Sequence, residues 1–126
     1  MIYYLAVPYS HSNPDMMTRR FETACLVAAR MMRDGLVPFS PLSHSVPVAS
    51  YGGLHGTDHA FWMKQDLPIL EVCDVLAVLK LPGWEKSQGV RAELEHARKL
   101  CMPIRFVEPS EYLTEEELAP LALDEA

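Results

Sequence analysis

Four short strand-like runs constrain this chain more than anything else in it: the continuous apolar run Ile2 to Val7, "LVPFS", the still more apolar "DVLAVLKL" and "PIRFVEP", separated by longer stretches of helical character. A strand with one wet face alternates apolar with polar residues, so continuous runs of this length belong to strands covered on both faces. Helices between such strands imply a parallel sheet with right-handed crossovers. The expected fold is α/β: a three-layer, doubly wound parallel sheet of Rossmann or flavodoxin-like type in a single domain. Ligands of such sheets sit beyond the carboxyl ends of the strands.

The connecting stretches carry their own signals. "SNPD" opens a helix with Asn13 as N-cap, Pro14 in its first position and Asp15 in its first turn; Phe21, Cys25, Ala28 and Met32 are its expected apolar face, and Gly35 closes it. "PLSHSVPVASYGGLHGT" is rich in Pro, Ser, Gly and His without a sustained period, and reads as a long loop that could cover a site. A second helix is expected from Asp58 to Leu67, where Pro68 kinks or ends it. "DVLAVLKL" is the expected central strand. Residues 1–109 form the α/β domain in this reading, and 110–126 add an acidic helix and a frayed end.

With 126 residues, 49% of them hydrophobic, one real core is within reach. The 11 basic against 17 acidic residues give a net charge of −6, which argues against a nucleic-acid polymer as partner. A small anion remains compatible, because a helix N-terminus binds it locally. Cys25, Cys73 and Cys101 form no CxxC pair and lie in apolar runs, which points to buried free thiols in a reducing compartment, the cytoplasm. "MIYYLAVPYS" has no basic leader and too short an apolar run for a signal peptide or membrane span, so no membrane partner is expected.

Two carboxylates interrupt this order. In "GWEKSQGVRAELEHARKL" the apolar stripe is Val90, Leu94, Ala97 and Leu100, yet Glu93 falls on the same face. Asp66 does the same, four residues after Trp62 and four before Leu70. If Ser87 caps the helix, Gly89 stands on Glu93's face about 6 Å nearer the N-terminus. Glu93 then leans toward the space that Gly89 leaves open. A phosphate held by Ser87 and the first free N–H groups would have a carboxylate about one sugar ring away; alternatively, Ser87 is only a cap and Glu93 a solvated edge residue. Two acids at one cleft suit cleavage at an anomeric carbon.

With these residues in place, the chain resembles the nucleoside 2-deoxyribosyltransferase superfamily, including its deoxynucleoside monophosphate N-hydrolase branch. The resemblance runs through "YLAVPYS", "GLVPFSP", "FWMKQDLPILEVCDVLAVLKLPGWEKSQGVRAELEHA" and "PIRFV", and is most specific at Ser87-x-Gly89-x-x-x-Glu93. It implies Glu93 as nucleophile, Asp66 acting near base and sugar, and Tyr9 orienting the glutamate. A serine at position 87, where the transferases carry aspartate, implies a 5′-phosphate on the substrate. Physics agrees, since a carboxylate there would repel an anion that a hydroxyl can bind. The resemblance also implies a homo-oligomer, for which leftover apolar helix faces would serve.

The remaining candidates are weaker. Trp84, in the site turn, is a base-stacking candidate against a packing anchor. His44, His55 and His59 with Asp58 lack metal-site spacing, so no metal and no cofactor is expected, and His44 is assigned to ligand contact. Arg19, Arg20 and Arg91 default to solvated salt bridges. The sequence reading is thus an N-glycosidic enzyme acting on a (deoxy)nucleoside 5′-monophosphate, more by hydrolysis than by base transfer. The alternatives are a noncatalytic nucleotide-binding module and an interaction domain without a small-molecule site.

Overall fold

A computed structural model describes residues 1–122 of the chain. Four parallel strands, β1 (Ile2–Ala6), β2 (Val37–Phe39), β3 (Val75–Leu79) and β4 (Ile104–Val107), form one sheet in the order β2-β1-β3-β4. Tyr4 pairs with Phe39 on one side and Leu76 on the other, and Val78 pairs with Phe106. Asp74, just before β3, ties the strand starts together by accepting a hydrogen bond from Ile2 N–H at 2.6 Å.

Period-two alternation divides the strand residues between two cores. Leu5, Ala77, Leu79 and Val107 face α1 (Pro14–Arg33), which covers them with Met16, Ala24, Val27, Ala28 and Met31. Tyr4, Ala6, Leu76 and Val78 face the other way, onto Leu70 of α3 (His59–Val72) and Val90, Leu94 and Ala97 of α4 (Gln88–Lys99). The chain leaves β1 toward β2 through α1 and returns past β1 to β3 through α3. Helices on opposite faces are what right-handed crossovers in opposite directions require. The loops therefore diverge between the carboxyl ends of β1 and β3, where a doubly wound sheet offers a ligand crevice.

Asn13 and Ser87 cap α1 and α4 as the sequence predicts, and Asp58 caps α3; each side chain accepts from a backbone N–H at the helix start. Four expectations need correction. Most of the stretch read as a long loop is helix α2 (Pro41–Gly52), with Ser40 as N-cap, Pro41 in the first turn and Gly53 as a left-handed C-cap at φ +68°. Packing of its buried side, Pro41, Ser45 and Ala49, overrides the unfavourable Pro47 inside it. Helix α3 runs through Pro68 to Val72. The buried face of α1 is rotated by about one position, so that Phe21 and Cys25 are half-buried and Met32 is exposed, as is Leu100 beyond α4. Of the three free thiols only Cys73 is buried, and Cys101 is exposed at φ +55°.

The segment after β4 makes a 3-10 turn, one turn of helix α5 (Glu115–Leu118) and a second 3-10 turn. Leu113 and Leu121 join the α1-side core, and Arg30 grips Glu117 through two hydrogen bonds of 2.7 and 2.9 Å. The frayed end expected of the tail falls on residues 123–126, outside the described residues. No helix among the described residues is long and apolar enough to cross a membrane. Leu76 is fully buried between β1, α3 and α4, so Leu76→Ala should cost about 3 kcal/mol of unfolding free energy. Val37→Ala on the exposed edge strand should cost less than about 0.5 kcal/mol; urea denaturation of both variants checks the assignment of core and edge.

Candidate active site

The chain leaves β3 through a tight turn at Gly83, where φ is +86°, and a short 3-10 turn, Trp84–Lys86, before α4 begins. Ser87 is extended, and its Oγ accepts from Val90 N–H at 3.2 Å. That leaves the N–H groups of Gln88 and Gly89 as first-turn donors with no helix carbonyl to meet. The Ser87 hydroxyl accepts from the helix yet keeps its own proton to donate outward. A Cβ at Gly89 would lie 3.9 Å from Ser87 Oγ and 4.0 Å from Met63 Cε, so the wall is low there without being crowded.

One turn further, Glu93 is only 4% exposed, and it accepts a hydrogen bond from the hydroxyl of Tyr4 on β1. The tyrosine that orients this carboxyl is therefore Tyr4. Tyr9, the residue expected in that role, lies beyond the strand end and lines the cavity. A tyrosine in an apolar strand reads as core filling; the signal for Tyr4 is a phenol hydroxyl, matched only by that of Tyr3, in an otherwise apolar run, a group that burial obliges to find a partner.

Asp66 projects from the middle of α3, 7% exposed, and no hydrogen bond among the described residues ends on it. Burial pushes its pKa up to about 6, against a smaller pull downward from His44. Burial pushes Glu93 up to about 8; the Tyr4 hydrogen bond opposes that rise and the charge of Asp66 adds to it. Tyr4 is raised well above the usual phenol value, first by burial and then by Glu93 and Asp66. Both carboxyls thus keep their protons to higher pH than a solvated acid does, Glu93 more firmly than Asp66.

Both line one cavity of about 310 Å³, the size of a small-molecule site. Its walls are Val7, Tyr9 and Ser10 after β1, Pro41, Leu42 and Ser45 from α2, Gly56 and Thr57, His59, Trp62 and Met63 from α3, and Lys86 to Gly89 at the start of α4. Five of the seven expected site residues, Tyr9, Asp66, Ser87, Gly89 and Glu93, meet here. Trp84 and His44 do not line it. Trp84 packs against Phe106, with ring centroids 5.7 Å apart, and His44 lies in a groove on the outer side of β2, near Phe39. No group of three His, Cys, Asp or Glu side chains suited to a metal occurs among the described residues.

A family model described as "Domain of unknown function (DUF1937)" matches residues 1–108, which include all four strands and the whole cavity. The chain belongs to that family. No curated protein matches it in sequence. Among solved structures, the 2-deoxyribosyltransferase of the psychrotolerant bacterium Bacillus psychrosaccharolyticus is similar, with a TM-score of 0.57 and 19% identity over 95% of this chain and 81% of that one. That likeness supports the doubly wound α/β fold.

A carboxyl with a raised folded pKa holds its proton more tightly in the native state. Its contribution to stability is full below the unfolded value near 4.5 and is lost as pH rises through about 8. Glu93→Gln is neutral throughout. Its melting temperature relative to the parent should therefore rise steadily between pH 5 and pH 8.5, and curves that stay parallel would mean that Glu93 ionises as a solvated residue does.

Proposed function

We propose that the protein cleaves the N-glycosidic bond of a (deoxy)nucleoside 5′-monophosphate, by hydrolysis in preference to base transfer. One observation carries the reading: two buried carboxyls on neighbouring helices line a nucleotide-sized cavity whose rim is the hydroxyl-capped N-terminus of α4. The similar solved structure is a 2-deoxyribosyltransferase, described as a biocatalyst for nucleoside synthesis, which makes the same bond the natural candidate.

In the proposed reaction the 5′-phosphate rests on Ser87 Oγ–H and the Gln88 and Gly89 N–H groups, with Lys86 beside it. Glu93 attacks C1′ as the C1′–N bond breaks, the bonding electrons leave with the base, and the protonated Asp66 supplies its proton. Water then attacks C1′, gives a proton back to Asp66 and frees Glu93 with the sugar 5-phosphate. Tyr4 holds Glu93 in line throughout. Glu93 must be ionised to attack and Asp66 protonated to assist. Because burial holds a proton more firmly on Glu93, at about 8, than on Asp66, at about 6, the reaction requires the proton to pass from Glu93 to Asp66 once substrate is bound.

The test is a screen for free base across ribo- and deoxyribonucleoside monophosphates near pH 7, with nucleosides alongside. At least one monophosphate should release its base, and Glu93→Ala should slow that release by about a thousandfold or more while binding persists. Nucleotide binding without any base release would replace the enzyme with a noncatalytic nucleotide-binding module. Ser87→Asp keeps the cap but places a charge, with no proton to donate, against the phosphate. It should weaken monophosphates by about 2 kcal/mol, about thirtyfold in kcat/KM, relative to the matched nucleosides. An unchanged ratio would show that Ser87 caps its helix and does nothing more.

A further inference from the structure

Arg20 lies on the first turns of α1 and is 7% exposed, although a charged side chain of this length normally reaches water. Its guanidinium runs beneath the cavity's two lips. Nη1 donates to the Ser10 carbonyl at 3.0 Å and approaches that of Tyr9 at 3.4 Å, on the loop after β1. Nη2 donates to the Pro82 carbonyl at 3.2 Å, on the turn after β3. Gly83, the next residue, fits this contact in two ways: its φ of +86° suits glycine, and a Cβ there would come within 3.0 Å of Arg20 Nη2.

The loops joined in this way carry opposite walls of the site. Tyr9 and Ser10 line one side, and the turn beginning at Pro82 leads through the 3-10 turn to Lys86, Ser87 and Gly89 on the other. Sheet pairing fixes β1 and β3 relative to each other, but the ladder between these two strands ends at Ala6 and Val78. A planar fork of donors in fixed geometry can hold carbonyls from both segments at once, where a lysine's single ammonium would hold them loosely.

We infer that Arg20 is a positioning residue, a buried clamp that sets the spacing between the Tyr9–Ser10 lip and the helix terminus that receives the ligand's anionic group. It touches no reacting atom in this assignment. Glu93, Asp66 and Tyr4 stand on α4, α3 and β1, whose own hydrogen bonding and packing hold them. Loss of the clamp should therefore affect the capture of ligand more than the chemical step.

Hydrogen–deuterium exchange tests the clamp without reference to any reaction. In Arg20→Lys, amides of residues 9–13 and of 83–88 should exchange about tenfold faster than in the parent, with β3 and the second half of α3 unchanged. Gly83→Ala, which presses a methyl group toward the guanidinium, should loosen the same two segments and serves if the arginine variant folds poorly. Unchanged exchange, or loosening on one side only, would overturn the clamp. A kinetic arm rests on the proposed function: with a monophosphate that the parent cleaves, Arg20→Lys should raise KM about tenfold and change kcat less than about threefold. A fall in kcat at constant KM would likewise overturn the assignment. If the parent releases no base, that reading fails while the exchange result still decides the clamp.

Discussion

A carboxyl turned toward a hydrophobic sheet is costly unless something in the protein answers it, and the contact between Glu93 and Tyr4 is that answer. Leu94 and Ala97, on the same helix, bury without penalty. Glu93 is buried as deeply and is still pushed up to about 8, so the phenol reduces the cost without removing it. A residue kept at such expense, on the wall of a cavity, carries a stronger functional signal than any exposed acid in the chain.

The geometry around that contact follows from the strand order. With β1 and β3 adjacent and their helices sent to opposite faces, the strand ends open a crevice that α3 and α4 flank from one side. The two carboxyls come from the middle of those helices, where backbone hydrogen bonding makes position reproducible. The rim proposed to receive the phosphate is built from turns instead, and Arg20 bridges them through the Ser10 and Pro82 carbonyls. Regular structure and tied loops thus divide the work, the first fixing the acids and the second fixing the distance between the lips.

Much of this was legible in the sequence because the informative residues break a local rule. Glu93 and Asp66 stood out by occupying apolar positions of helical stripes, and Ser87 and Gly89 by cap and spacing; all four line the cavity. The failures have physical causes of their own. Helix α2 escaped because its stability comes from packing on α1, while its Pro, Ser and Gly content mimics a loop. Tyr4 and Arg20 obeyed their local patterns, an aromatic in a strand and an arginine on a helix, and acquire meaning only through partners 89 and up to 62 residues away. Trp84 was assigned because it lies in the site turn and His44 because it lies in the stretch read as a covering loop; their rings lie against Phe106 and Phe39.

The central claim is that Glu93 bonds to the sugar's anomeric carbon. Rapid quenching of the protein with a cleavable deoxynucleoside monophosphate, followed by peptide mass analysis, reads that bond directly. The account predicts a peptide containing Glu93 that carries the mass of a deoxyribosyl phosphate, absent from Glu93→Gln and lost with time as water releases the sugar. Base release with no adduct at any quench time under conditions that slow the second step, or an adduct on another residue, would contradict it.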